Sequence, residues 1–106
     1  MEYDVCALDD IADGGKKVAK LGGTRVLLLR AGDEVFAVRN TCPHMKVPLS
    51  VGKFDGTHIQ CRLHGSRYDV RSGQRDKKAW MAGGMGEATL QTYPLTLRDG
   101  RVFVEL

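Results

Sequence analysis

Along most of the chain, apolar residues alternate with polar ones over runs of five to seven positions, and pairs of small or acidic residues break the runs. Tyr3–Ala7, Lys16–Lys20, Thr24–Arg30 and Glu34–Arg39 read as strands, separated by Gly14-Gly15, Gly22-Gly23 and Gly32-Asp33. In the fourth run Val35 and Ala37 alternate with Phe36 and Val38, which predicts burial on both faces. A second group follows at Val51–Phe54, Thr57–Cys61 and Arg67–Arg71. Asp55-Gly56 predicts a type I′ hairpin inside that group, because glycine tolerates positive φ. Asp99-Gly100 predicts another between the two alternating runs of "LTLRDGRVFVEL". No segment keeps a helical period, although Trp80–Ala88 has room for a turn or two, and residues 72–89 are the longest stretch without a strand pattern. Short strands joined by glycine-rich turns predict an all-β fold, a small antiparallel sandwich or barrel.

Composition narrows the class without naming a function. The 106 residues, 42% hydrophobic and 27% charged, fit one globular domain. The longest aliphatic run, Val26–Leu29, is too short to cross a bilayer, and the first residues lack the basic and apolar regions of a secretory leader. A cytoplasmic location follows, where thiols stay reduced, and the three cysteines are then better metal ligands than disulfide partners. The net charge is +3, and Arg62, Arg67, Arg71, Arg75, Lys77 and Lys78 crowd together. Without interleaved aromatic residues or a nucleic-acid motif, that run reads as solvated surface or as a docking face for an acidic protein, with nucleic acid excluded as a partner. Cys6 reads as a buried strand residue and His58 as a surface or cross-strand residue.

Two short segments carry the chemistry. Cys42 and His44 stand two apart, Cys61 and His64 three apart, with 16 residues between the pairs. Two thiolates and two imidazoles could bind zinc tetrahedrally in a structural module, but zinc modules pair like with like, and here each pair is mixed. A mixed pair suits a binuclear centre in which one metal takes sulfur ligands and the other nitrogen ligands, each loop giving one ligand to each metal.

The pattern in Cys42-Pro43-His44 and in Cys61-Arg62-Leu63-His64-Gly65-Ser66 resembles the Rieske family of [2Fe–2S] proteins, and the likeness extends to "VFAVRNTCPH", "YDVRSGQ" and the terminal strands. The resemblance implies a single domain, with a two-loop cluster-binding part over residues 41–73 and a base formed by residues 1–40 and 74–106. It implies one [2Fe–2S] cluster per chain, cysteines on the buried iron, and histidines on the outer iron with their ring edges towards the surface. Two neutral imidazoles in place of two thiolates leave the oxidised site neutral rather than doubly negative, which eases reduction. Ser66 and Tyr68 match the hydroxyl donors of high-potential members, which raise the potential by bonding to cluster sulfur.

This chain departs from the respiratory and photosynthetic members in lacking the extra loop cysteines. Val47 and Leu63 stand at those positions, and Gly83-Gly84-Met85-Gly86 replaces a proline-containing segment. It therefore resembles the soluble, ferredoxin-type branch. The implied function is one-electron transfer from a flavin-dependent reductase to a terminal oxygenase or similar enzyme, as a free monomer and without a membrane. The alternative is a small subunit of a larger oxidoreductase, such as assimilatory nitrite reductase. The chain is not an oxygenase by itself: with His44 and His64 on the cluster, only His58 remains, too few for a two-histidine mononuclear iron site. Trp80, Met81 and Met85 are candidates for an apolar docking patch beside the cluster, or for ordinary loop packing.

Overall fold

The computed structural model describes residues 1–43, 47–62, 65–77 and 89–106, without the side chains of Asp76 and Lys77. Among the described residues eleven strands run in chain order: β1 (Glu2–Ala7), β2 (Lys16–Leu21), β3 (Thr24–Ala31), β4 (Glu34–Arg39), β5 (Lys53–Phe54), β6 (His58–Gln60), β7 (Arg67–Asp69), β8 (Arg75–Lys77), β9 (Thr92–Tyr93), β10 (Leu95–Arg98) and β11 (Arg101–Glu105). They form three antiparallel sheets in the orders β1-β11-β10, β2-β3-β4-β9 and β5-β6-β7-β8. Among the described residues the helical elements are two 3₁₀ turns, Leu8–Asp10 and Leu49–Val51. The all-β expectation holds.

The middle sheet explains why its strands are apolar at consecutive positions. Val26, Leu28, Val35 and Ala37 face one core, with Ile11 and with Cys6, Val102 and Val104 of the β1-β11-β10 base sheet. Leu27, Leu29 and Val38 face the other, with Val70 and with Ile59 and Tyr68 of the third sheet. A strand covered on both sides buries every side chain, so strict alternation disappears from the sequence. All four residues of the Val26–Leu29 run are 0% exposed. Cutting any of these leucines to alanine would cost about 2–5 kcal/mol in transfer energy and cavity.

Turn chemistry decides the strand ends. At the C-terminal hairpin Asp99 and Gly100 have φ of 52° and 73°, as a type I′ turn requires. The Asp55-Gly56 expectation fails. Three residues separate β5 from β6, and Asp99 is the one non-glycine with positive φ among the described residues, so Asp55 does not take the type I′ conformation. Instead its carboxylate accepts the N–H groups of Thr57 and His58 at 2.9 and 2.7 Å, a side-chain turn of the kind aspartate favours. These bonds, with Arg67 beside them, hold the Asp55 carboxyl well below the usual range. Asp69 likewise ends β7 early by accepting from Arg71 N and Ser72 N, so the expected strand over Arg67–Arg71 stops at Asp69.

Residues 72–89 are not wholly strandless. Arg75–Lys77 pairs with β7 as an edge strand, and its charged sequence hid it because an edge needs no apolar face and is protected by charge. The helical turn expected over 80–88, the Gly83-Gly84-Met85-Gly86 segment and the Trp80, Met81 and Met85 patch lie outside the described residues. Among the described residues no helix is long and apolar enough to cross a membrane.

Candidate metal centre

The first cysteine loop leaves β4 at Asn40 and returns at Ser50. Asn40, 5% exposed, closes it: its carbonyl oxygen accepts Ser50 N at 2.8 Å, its amide donates to Ser50 Oγ at 3.3 Å, and its backbone N–H donates to Arg25 O at 3.0 Å. Inside this clasp Cys42 N donates to Val47 O at 2.8 Å, while the Val47 side chain packs on the core. Where other members of the resembled family place a cysteine, this chain uses a backbone bond and an apolar contact. Lys16 reaches across from β2 to donate to Gly52 O at 2.6 Å, fixing the 3₁₀ turn that follows the loop.

The second loop joins β6 to β7. Cys61 N donates to Ser66 O at 2.7 Å, and Gly65 N donates to Cys61 O at 3.2 Å. Gly65 takes a φ of 75°, so a residue with a free left-handed conformation is needed there. The two loops bring Cys42 and Cys61 into one apolar cluster with Leu49, Ile59, Tyr68 and Leu90. Both cysteines are buried and neither is in a disulfide.

Tyr68 is fully buried and its hydroxyl lies 3.7 Å from Cys42 Sγ. Burial pushes the phenol well above its ordinary value, and the neighbouring Cys42 pushes the same way. The phenol therefore keeps its proton and remains a donor. The Ser66 hydroxyl is 1% exposed and makes no hydrogen bond of good geometry among the described residues, although it stands near enough to the Tyr68 hydroxyl to oppose part of the rise in its pKa. An orphaned buried hydroxyl calls for an acceptor. Two thiols, an orphaned hydroxyl and a retained phenol proton in one apolar enclosure suit a group that is ligated by sulfur and carries sulfur acceptors of its own. His44 and His64, the other two sequence candidates, lie outside the described residues.

The chain matches the family model described as the Rieske [2Fe-2S] domain over residues 1–94. It belongs to that family. The family decides between the two metals open in the sequence: the cofactor is a [2Fe–2S] cluster and not a structural zinc. The ferredoxin component of the alkene monooxygenase system of Xanthobacter autotrophicus is 36% identical over 107 residues, covering 98% of this chain and 81% of the relative. The ferredoxin of carbazole 1,9a-dioxygenase from Nocardioides aromaticivorans superimposes with a TM-score of 0.85 at 27% identity, covering 98% of this chain and 96% of that one. A similar ferredoxin chain, seen in complex with the oxygenase of a carbazole 1,9a-dioxygenase, gives a TM-score of 0.83 at 27% identity and covers 97% of this chain and 91% of its own length. This Rieske protein is an electron carrier rather than a catalyst in its own right.

Sequence reasoning missed Asn40 and Lys16. The signal for Asn40 was present: a polar residue directly after an apolar strand, two residues before the candidate ligand Cys42. Lys16 left none, because its partner is a backbone carbonyl. Cys6 is 5% exposed on β1, as expected, and its burial raises the thiol above its ordinary value. His58 sits on β6 opposite Asp69, with its ring Nδ1 2.8 Å from Thr57 Oγ1. Two residues of the basic run are paired with acids. Arg67 pairs with Asp55 at 2.8 Å, and Arg71 pairs with Glu34 at 2.7 Å while its guanidinium lies over the Phe36 ring.

Proposed function

We propose that this Rieske protein is the ferredoxin component of a multicomponent oxygenase system, taking one electron at a time from a flavin-dependent reductase and passing it to a terminal oxygenase. It acts in the cytoplasm as a monomer when free. Cys42 and Cys61 hold one iron of the cluster, and His44 and His64 hold the other, which supplies one-electron redox chemistry when the cluster is bound. Ser66 and Tyr68 donate to sulfur and favour the reduced, more negative state.

The observation that carries this reading is the meeting of two loops at one buried, disulfide-free pair of cysteines, with the Tyr68 hydroxyl against Cys42 and the Ser66 hydroxyl left without a partner. The relatives support the partner assignment: one is a component of a monooxygenase system, and another was captured with its oxygenase.

Anaerobic purification followed by metal and sulfide analysis tests the reading. Iron and acid-labile sulfide are expected in equal amounts, with a colour that bleaches on uptake of one electron per chain. A colourless protein with zinc and no labile sulfide overturns it.

A further inference from the structure

The arginines of this chain fall into two groups. Arg98 pairs with Glu2 and Arg101 with Asp4, both at 2.9 Å, and Arg67 and Arg71 are paired as above. Arg30 donates to the carbonyls of Leu8, Ile11 and Gly32. Arg25, Arg39 and Arg62 are exposed and make no ion pair among the described residues. These three flank the cysteine loops. Arg39 lines a depression with Thr41, Cys42 and Pro43, and Arg25 lines the next one with Arg39 and Thr41. On the other loop, Arg62 and Lys53 line a depression with Cys61, and Val51, an exposed aliphatic residue, stands beside them. No carboxylate lines any of these three depressions among the described residues.

Arg67, Arg71, Arg98 and Arg101 are each neutralised by a neighbouring acid, whereas the cations lining the depressions beside Cys42 and Cys61 have none among the described residues. Leaving like charges together and unpaired gains nothing for the fold, whereas an exposed ion pair would be weakly favourable. Unpaired cations beside both cysteine loops, with an exposed aliphatic residue next to those on the second, suit an encounter surface. We infer that Arg25, Arg39, Arg62 and Lys53 form a basic collar flanking the two cysteine loops, and that the protein partner docking there presents an acidic face. The inference rests on the carrier reading above and adds the sign of the partner's charge. Of the basic run read from the sequence it keeps Arg62, leaves out Arg67 and Arg71, which pair with Asp55 and Glu34, and adds Arg25, Arg39 and Lys53 from distant parts of the chain.

Two haem proteins of opposite surface charge test it, an acidic cytochrome b5 and a basic cytochrome c, each in the ferric state. In each case the reduced carrier gives up one electron and the haem iron takes it, with no other reactant. Stopped-flow rates are compared between low and physiological ionic strength, over which the screening length shrinks from about 30 Å to about 8 Å. The rate to cytochrome b5 is expected to fall on the order of tenfold, and the rate to cytochrome c to stay level or rise. Arg39→Gln/Arg62→Gln should remove most of the salt dependence with cytochrome b5. Arg98→Gln/Arg101→Gln changes net charge equally on the base sheet and should leave it in place. A rate to cytochrome b5 that ignores salt, or an equal loss in both double variants, overturns the collar. Failure of the carrier reading is recognised separately, as protein that lacks the iron–sulfur spectrum or reduces neither haem protein.

Discussion

Tyr68 Oη lies 3.7 Å from Cys42 Sγ, although the two residues are 26 positions apart and belong to a strand behind one loop and to the tip of the other. The strand pairing makes the contact possible. β7 runs antiparallel to β6, so Tyr68 pairs with Ile59 and points into the core that the first loop covers. The tyrosine is thereby a bridge between the two loops, with its hydroxyl against the Cys42 sulfur.

Tyr68→Phe keeps the packing and removes the donor. A bond that favours the reduced state by about 1–2 kcal/mol corresponds to roughly 45–90 mV for one electron. Redox titration of the variant should show a midpoint lower by that amount with the cluster retained. Ser66→Ala should lower it in the same direction. Unchanged midpoints in both variants would contradict the role of the hydroxyls.

The Tyr68 proton also predicts a pH dependence. Its folded pKa is raised above the ordinary value of about 10, chiefly by burial and then by Cys42. The folded state therefore binds this proton more tightly than the unfolded chain does. The stabilisation is fully present below about pH 10 and is lost as pH rises beyond it towards the folded value. Tyrosinate absorbance in the difference between wild type and Tyr68→Phe should stay absent at pH 10–11. Wild-type stability should fall more steeply there than that of the variant. Ordinary titration of Tyr68 near pH 10 would contradict its burial against sulfur.

Asn40→Ala removes both bonds that close the first loop and leaves the Ser50 N–H without its acceptor. An unsatisfied, partly buried donor costs about 1–3 kcal/mol. Urea unfolding should show a loss in that range, and the variant should carry less iron per chain than the wild type under identical purification. Full iron content with unchanged stability would mean that the clasp does not hold the loop.

Gly73 and Gly100 separate two effects of glycine. Both have positive φ, 79° and 73°, but a Cβ at Gly73 would run into the carbonyl of Leu90, whereas at Gly100 it meets open space. Gly100→Ala should cost only the left-handed strain of about 1–2 kcal/mol, and Gly73→Ala about 2–4 kcal/mol once overpacking is added. Thermal unfolding of the two variants side by side measures the difference. Equal losses would show that Leu90 yields to the new methyl group.

Much of this was legible in the sequence. β4 matches its alternating pattern residue for residue, and the C-terminal hairpin follows from Asp99-Gly100. What escaped was set by partners distant in the chain. Asp55-Gly56 looks like the same turn, yet the Asp55 carboxylate finds Thr57 and His58 and imposes a different one. β8 has no hydrophobic pattern, and what fixes it as a strand is its pairing with β7. Arg67 and Arg71 look like one basic patch until the fold brings Asp55 and Glu34 to them. Of the candidate site, the meeting of Cys42 and Cys61 could be read from the two mixed Cys/His pairs. The clasp made by Asn40 and Lys16 could not, since it depends on where Ser50 and Gly52 fall in space.

The account turns on two imidazoles sharing the cluster with two thiolates, and pulsed electron paramagnetic resonance on the reduced protein, labelled with ¹⁵N at histidine alone, addresses that most directly. Two directly coordinated histidine nitrogens are predicted, both retained in His58→Gln and one lost in any His44 or His64 variant that still assembles a cluster. A spectrum with no histidine nitrogen coupled to iron, or one in which the coupling disappears with His58, would contradict it.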